Sequence, residues 1–191
     1  MKPRIPRTSD SLRDHFLIAT PALSEGFFTR TVTYICEHGE SGAMGIVINQ
    51  PLEVELTEIL EHLDIEVSCK PTDETVLAGG PVQIEHGFVL HRGAGDWESS
   101  LKVSDQVWLT TSRDILVAIA AGEGPAEHLV ALGYAGWEAG QLEDELAQNS
   151  WLTVKADPEI LFNIPLEQRL IAAGQQLGID ISLMSGEAGH A

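Results

Sequence analysis

Two polar stretches stand where they could do chemistry. His38 follows Glu37 at the end of an apolar run, and Gln141 and Glu145 lie four residues apart, on one face of a helix if that stretch is helical. An imidazole can give or take a proton near neutral pH, and a carboxylate can hold its ring in orientation. His38 as acid or base, Glu145 as its partner and turn amides near Gly45 as an oxyanion or phosphate cradle would make a small hydrolase-like site. That reading has no nucleophile, because neither Ser41 nor Ser112 stands in a Gly-x-Ser-x-Gly elbow. No catalytic residue is assigned.

The same residues support a binding reading, in which His38, Gly45, Asn49, Trp137, Gln141 and Glu145 present donors, acceptors and an aromatic ring to a protein partner or small-molecule ligand. Each also has a plain structural role to weigh against it. Gln141 and Glu145 suit a solvated helix face, and Glu143 and Asp144 suit one still better. Trp137 suits the core, and Asn49 suits a strand end where its amide caps backbone groups. Among seven histidines, His86 and His91 are the close pair, and an odd spacing on a strand turns them to opposite faces. Zinc needs three or four convergent ligands, so the sequence implies no metal and no cofactor.

These residues must be positioned by many short strands and a few helices. Alternation and β-branched content predict strands at 15–20, 30–37, 43–49, 75–78, 88–91, 100–103, 107–110, 128–134 and 151–155. Pro51 cannot donate to a ladder, so the third strand is expected to stop before it. Gly79-Gly80-Pro81 lacks the Lys-Ser/Thr of a phosphate loop and reads as a tight turn. Helical spacing of Leu56, Ile59, Leu60 and Leu63 predicts a helix over 55–63. A second is expected after Thr111 or Ser112, with Ile115, Leu116 and Ile119 on its apolar face, and a third over 137–148. Asp157-Pro158 starts a fourth, and a fifth follows Pro165 and ends near Gly178. Residues 179–184 are expected to add a strand. Strands broken by single helices, with no repeated βαβ unit, predict an α+β fold with largely antiparallel pairing.

Composition narrows the function further. The chain has 191 residues and a formal net charge of −18, from 29 acidic against 11 basic residues. Lys2, Arg4, Arg7 and Arg13 all fall in the first thirteen residues, where Asp10 is the one acid. A surface this acidic repels nucleic acid, so direct DNA binding is disfavoured. Residues 1–13 read as a flexible basic arm, 14–186 as a single domain and 187–191 as a tail. No apolar run reaches membrane-spanning length, and none follows the charged N-terminus as in a secretory leader. Two cysteines without CxxC spacing suit a reduced, cytoplasmic protein, with Cys36 an inert buried thiol.

Several blocks, taken in order, resemble the YqgE/AlgH family: His15-Phe-Leu-Ile-Ala-Thr-Pro21, Glu37-His38, Gly42-Ala-Met-Gly45 through Asn49-Gln-Pro51, Gly79-Gly-Pro-Val82, Gly87-Phe-Val-Leu-His91 and Leu132 through Glu145. The match runs over residues 12–185 and is closest to the AlgH branch. Leu170 departs from it, since many members carry tryptophan there. The resemblance implies a bacterial cytosolic protein, an α+β arrangement in which short helices pack around a barrel-like sheet, no established reaction, and a regulatory role of the kind named for alginate production. With an acidic chain and no helix-turn-helix, any transcriptional effect is expected to be indirect.

Overall fold

The computed structural model describes residues 10–69, 74–93 and 95–184. In chain order its elements are β1 (His15–Ala19), β2 (Val32–Gly39), β3 (Gly42–Val47), β4 (Pro51–Glu55), α1 (Leu56–His62), β5 (Thr75–Ala78), β6 (Val82–Arg92), β7 (Ser100–Lys102), β8 (Val107–Thr110), α2 (Arg113–Ala120), β9 (His128–Glu138), α3 (Gln141–Ala147), β10 (Trp151–Lys155), α4 (Pro158–Phe162) and α5 (Arg169–Gln176). Single 3-10 turns cover Leu166–Gln168 and Ile181–Leu183.

The strands form one curled, half-barrel sheet in the order β10-β1-β2-β3-β9-β6-β8-β7. Every pairing along that path is antiparallel, while β5 joins β9 in parallel and carries β4 on its outer side. The fold is α+β, as the sequence predicts.

Strand alternation divides the core. On β1, Phe16 and Ile18 face one cluster with Tyr34, Ile46, Leu90 and the α4–α5 residues Leu161 and Ala173. Leu17 and Ala19 face the opposite way, into a cluster of Ile35, Trp137, Trp151 and Leu142 of α3. A third cluster seats α1 and α2 on the sheet through Leu56, Leu60, Ile115 and Ile119. Cys36 is fully buried and burial pushes its thiol pKa up, so it is inert, whereas Cys69 is exposed; neither forms a disulfide.

Several elements depart from the sequence reading. β3 stops at Val47, and Pro51 opens β4, where an absent N–H is tolerated in an outer strand. β6 begins at Val82 rather than 88, and β9 continues to Glu138. Trp137 is therefore a strand residue, and α3 starts only after Gly140, whose φ of +79° turns the chain. Within 179–184, expected as a strand, Ile181–Leu183 form a 3-10 turn capped by Asp180.

The Gly79-Gly80 segment is not a tight turn. The Gly79 N–H donates to the Leu132 carbonyl and its own carbonyl accepts from Val47, so the segment lies flat across β9. A Cβ on Gly80 would sit 1.9 Å from the Tyr134 carbonyl carbon, which explains the glycine.

Of the expected basic arm, residues 1–9 lie outside the described residues, but Leu12 is buried and Arg13 donates to the carbonyls of Val103 and Lys102. The packed body therefore begins before residue 14. Residues 187–191 lie outside the described residues.

Candidate functional site

The curl of the sheet leaves an open groove of about 880 Å³ between β3 and β9 on one side and β6, β8 and β7 on the other. Its floor is apolar, from Met44, Phe88, Leu101 and Tyr134, with Phe88 and Tyr134 packed edge to face at 5.6 Å. Ser41, Ser99, Ser100 and Thr111 bring hydroxyls, and the exposed Glu37 and Glu138 bring carboxylates. A smaller recess of about 370 Å³ shares Glu37, Ser41, Met44 and Trp137 with it and reaches His38 and Arg13.

A bulge in the β2–β3 pairing, between Ile35 and Glu37, aims Glu37 and His38 at this end of the sheet. The His38 Nδ1 accepts the backbone N–H of Leu12 at 2.8 Å, so the ring proton is on Nε2, which donates to Glu143 Oε1 at 2.7 Å. Both ring nitrogens are committed, and neither offers a free lone pair to a substrate. Burial pushes the Glu143 carboxyl pKa up, but hydrogen bonds, above all from His38, outweigh it and hold the carboxyl below the usual range.

Glu145 is not the carboxylate that His38 meets. Its Oε2 accepts the indole N–H of Trp137 at 2.9 Å and of Trp151 at 2.7 Å, while Oε1 accepts the Gln141 amide at 3.0 Å. The Gln141 Oε1 in turn accepts the Glu138 N–H at 3.0 Å and closes the entry to α3. Gln141 and Glu145 do share a helix face: Gln141 is exposed, as a solvated face requires, while the half-buried Glu145 reaches over two buried indoles.

Gly45 and Asn49 have local work. Gly45 lies in the middle of β3, between Ile35 of β2 and Ala135 of β9, so its backbone belongs to the ladders and forms no anion cradle. A Cβ there would stand 2.8 Å from the Thr33 methyl. The Asn49 Oδ1 accepts Val32 N–H and its Nδ2 donates to the Arg30 carbonyl, both at 2.9 Å, which caps the start of β2. His38 lies near the far end of that strand. The structure thus brings His38 and Trp137 together at the groove and its recess and places Asn49 elsewhere.

A family model described as AlgH-like matches residues 16–182. The chain belongs to the AlgH-like family. A UPF0301 protein from Saccharophagus degradans is 57% identical over 181 residues, covering 95% of this chain and 89% of its own. Another from Thioalkalivibrio sulfidiphilus is 58% identical over 183 residues, covering 96% and 98%. The solution structure of the AlgH protein from Pseudomonas aeruginosa is similar at a TM-score of 0.78 and 47% identity, over 98% of this chain and all of that one. A crystal structure from Corynebacterium diphtheriae, at 18% identity and a TM-score of 0.67 over 87% and 88% of the two chains, shares the fold.

Three features of this AlgH-like chain escape a reading of its sequence. Glu143 looks like surface charge until α3 is docked against β2. Arg169 is buried, donates to the carbonyls of Ile48 at 2.5 Å and Ile164 at 3.1 Å, and has its pKa pushed down by burial to about 10. His91 is buried and linked to Thr110, which is linked to Ser100 at the groove. The apolar run Gly87-Phe-Val-Leu-His91 was the one available signal, since a histidine closing such a run has to find a buried partner.

Proposed function

We propose that this protein is a nonenzymatic regulatory protein of the cytoplasm that binds a ligand in the groove between β3–β9 and β6–β8–β7. One observation carries the reading: an apolar floor ringed by hydroxyls and carboxylates forms a concave site of ligand size. The acid/base alternative is weakened by the same geometry, because His38 and Glu145 are each engaged by other partners. A net charge of −18 favours regulation through a ligand or partner over direct contact with DNA. The free thiols Cys36 and Cys69 are consistent with a reducing compartment. Among the described residues no helix is long and apolar enough to cross a membrane.

Native mass spectrometry of protein purified from its host tests this reading. The wild type should retain a small molecule that the groove-filling variant Met44→Trp loses at unchanged secondary structure. Equal retention by both proteins would remove the groove from the function, and turnover of an ester that His38→Gln abolishes would restore the enzyme alternative.

A further inference from the structure

The direction of one buried hydrogen-bond chain says what kind of ligand the groove accepts. The His91 Nδ1 lies 3.1 Å from the Gly93 carbonyl, which can only accept, so the ring carries its proton on Nδ1. Burial lowers the pKa of this ring and keeps it neutral, which leaves Nε2 as an acceptor. Nε2 lies 2.7 Å from Thr110 Oγ1, so the threonine donates to it. Thr110 then has no proton left for Ser100 Oγ at 2.8 Å, so Ser100 is the donor in that pair, with the Trp97 carbonyl at 3.4 Å as the other acceptor in reach of its one proton. With its proton turned inward, Ser100 keeps only acceptor capacity for the groove it lines.

The charges that line the same groove agree. Glu37 and Glu138 line the groove, are exposed, and make no ion pair among the described residues. Of the nearby cations, Lys102 pairs with Asp105 at 2.9 Å, and Arg13, which lines the adjoining recess, spends N–H groups on the carbonyls of Lys102 and Val103 and keeps its charge, so the acidic balance of the groove rests on two carboxylates against one guanidinium. Phe88 and Tyr134 supply an aromatic floor, which favours a cation as well as an apolar body.

Resting on the groove as the binding site, we propose that its ligand is a small amphipathic ammonium: an apolar or aromatic body seated on Met44, Phe88 and Tyr134, with a positively charged nitrogen donating to Ser100 Oγ and drawn by Glu37 and Glu138. An anion of the same shape would meet two carboxylates and, at Ser100, a hydroxyl with no proton to offer, with the hydroxyls of Ser41, Ser99 and Thr111 left as donors.

Three matched probes test this on the full chain: 4-phenylbutylamine, 4-phenylbutanol and 4-phenylbutanoate, titrated at pH 7 and followed by the amide shifts of Met44, Ser100, Tyr134 and Glu138. The amine should bind at these residues more tightly than the alcohol, and the carboxylate most weakly. Replacing both exposed carboxylates, Glu37→Gln with Glu138→Gln, should weaken the amine about tenfold and leave the alcohol unchanged. Ser100→Ala should weaken the amine several-fold at unchanged thermal stability, and unchanged affinity would overturn the role given to its oxygen. A carboxylate that binds the groove as tightly as the amine would overturn the ammonium while the groove stands. No shift at these amides with any of the three would overturn both.

Discussion

His91 of β6 and His128 of β9 face each other in register and hold opposite protonation states. His91 is neutral, as its hydrogen bonds to Gly93 and Thr110 require and burial favours. His128 donates from both nitrogens, to the Pro125 carbonyl and to Glu74 Oε2, each at 2.7 Å. Burial alone would lower its pKa, but the bond and charge of Glu74 outweigh it and raise the value.

The two histidines therefore contribute to stability with opposite slopes in pH. The raised pKa of His128 gives a contribution that is full below the unfolded value of about 6.5 and disappears as pH rises through the folded value. The lowered pKa of His91 gives one that is full above about 6.5 and is lost as pH falls toward the folded value. In urea denaturation from pH 5.5 to 8.5, His128→Gln should differ most from wild type at the acid end. A gap that stays constant with pH would show that the charge of His128 does not matter.

Glu145 is a structural acceptor, and its loss should act on two indoles at once. Glu145→Ala strands the N–H groups of Trp137 and Trp151, both buried, and should destabilise the fold by about 2–6 kcal/mol, since each unsatisfied donor costs roughly 1–3 kcal/mol. Glu145→Gln keeps an acceptor oxygen and should cost less. Equilibrium unfolding followed by tryptophan fluorescence reads both, and equal losses in the two variants would contradict the clamp.

His38 ties the start of the packed chain to α3. His38→Ala frees the Leu12 N–H and removes the partner of Glu143, so amide exchange at Leu12 should accelerate well beyond the change in global stability. Glu143→Ala removes one half of the link and should leave the Leu12 bond in place. If Leu12 exchanges alike in the two variants, the imidazole is not what holds it.

Gly80 is there for space. Its φ lies outside the left-handed region, yet a Cβ would overlap the Tyr134 backbone, which belongs to a ladder and cannot move aside. Gly80→Ala should destabilise by about 3 kcal/mol or more, at the upper end for overpacking, whereas Gly87→Ala meets nothing within 4 Å and should be nearly neutral. Comparable melting temperatures for the two variants would show that β9 gives way.

Local elements were legible where a single period dominated. Thr75–Ala78, Val107–Thr110 and Trp151–Lys155 have the bounds expected from alternation, and Asp157 caps α4 by accepting the Glu159 N–H at 2.9 Å. Boundaries failed where tertiary contact overrode propensity. Trp137 has helical neighbours in sequence, but pairing with Ala43 of β3 keeps it in β9 until Gly140 releases the chain. The 179–184 segment has strand-forming residues but pairs with no strand among the described residues, and Ile181–Leu183 close on their own backbone as a 3-10 turn.

The sequence by itself determined the α+β class, most of the strands and the family, because these follow from residue patterns that repeat within a few positions or from blocks in fixed order. Which carboxylate meets His38 was decided by the tertiary structure alone. The two partners stand 105 residues apart, and Glu143 and Glu145 differ by only two positions on the same helix. Two residues turn a helix by about 200°, so the docking angle of α3 on β2 and β9 sends one carboxylate to the imidazole and the other to the indoles. That angle is set by the bulge after Ile35, the turn at Gly140 and the packing of Leu142, and each acts through contacts that local sequence preference does not encode.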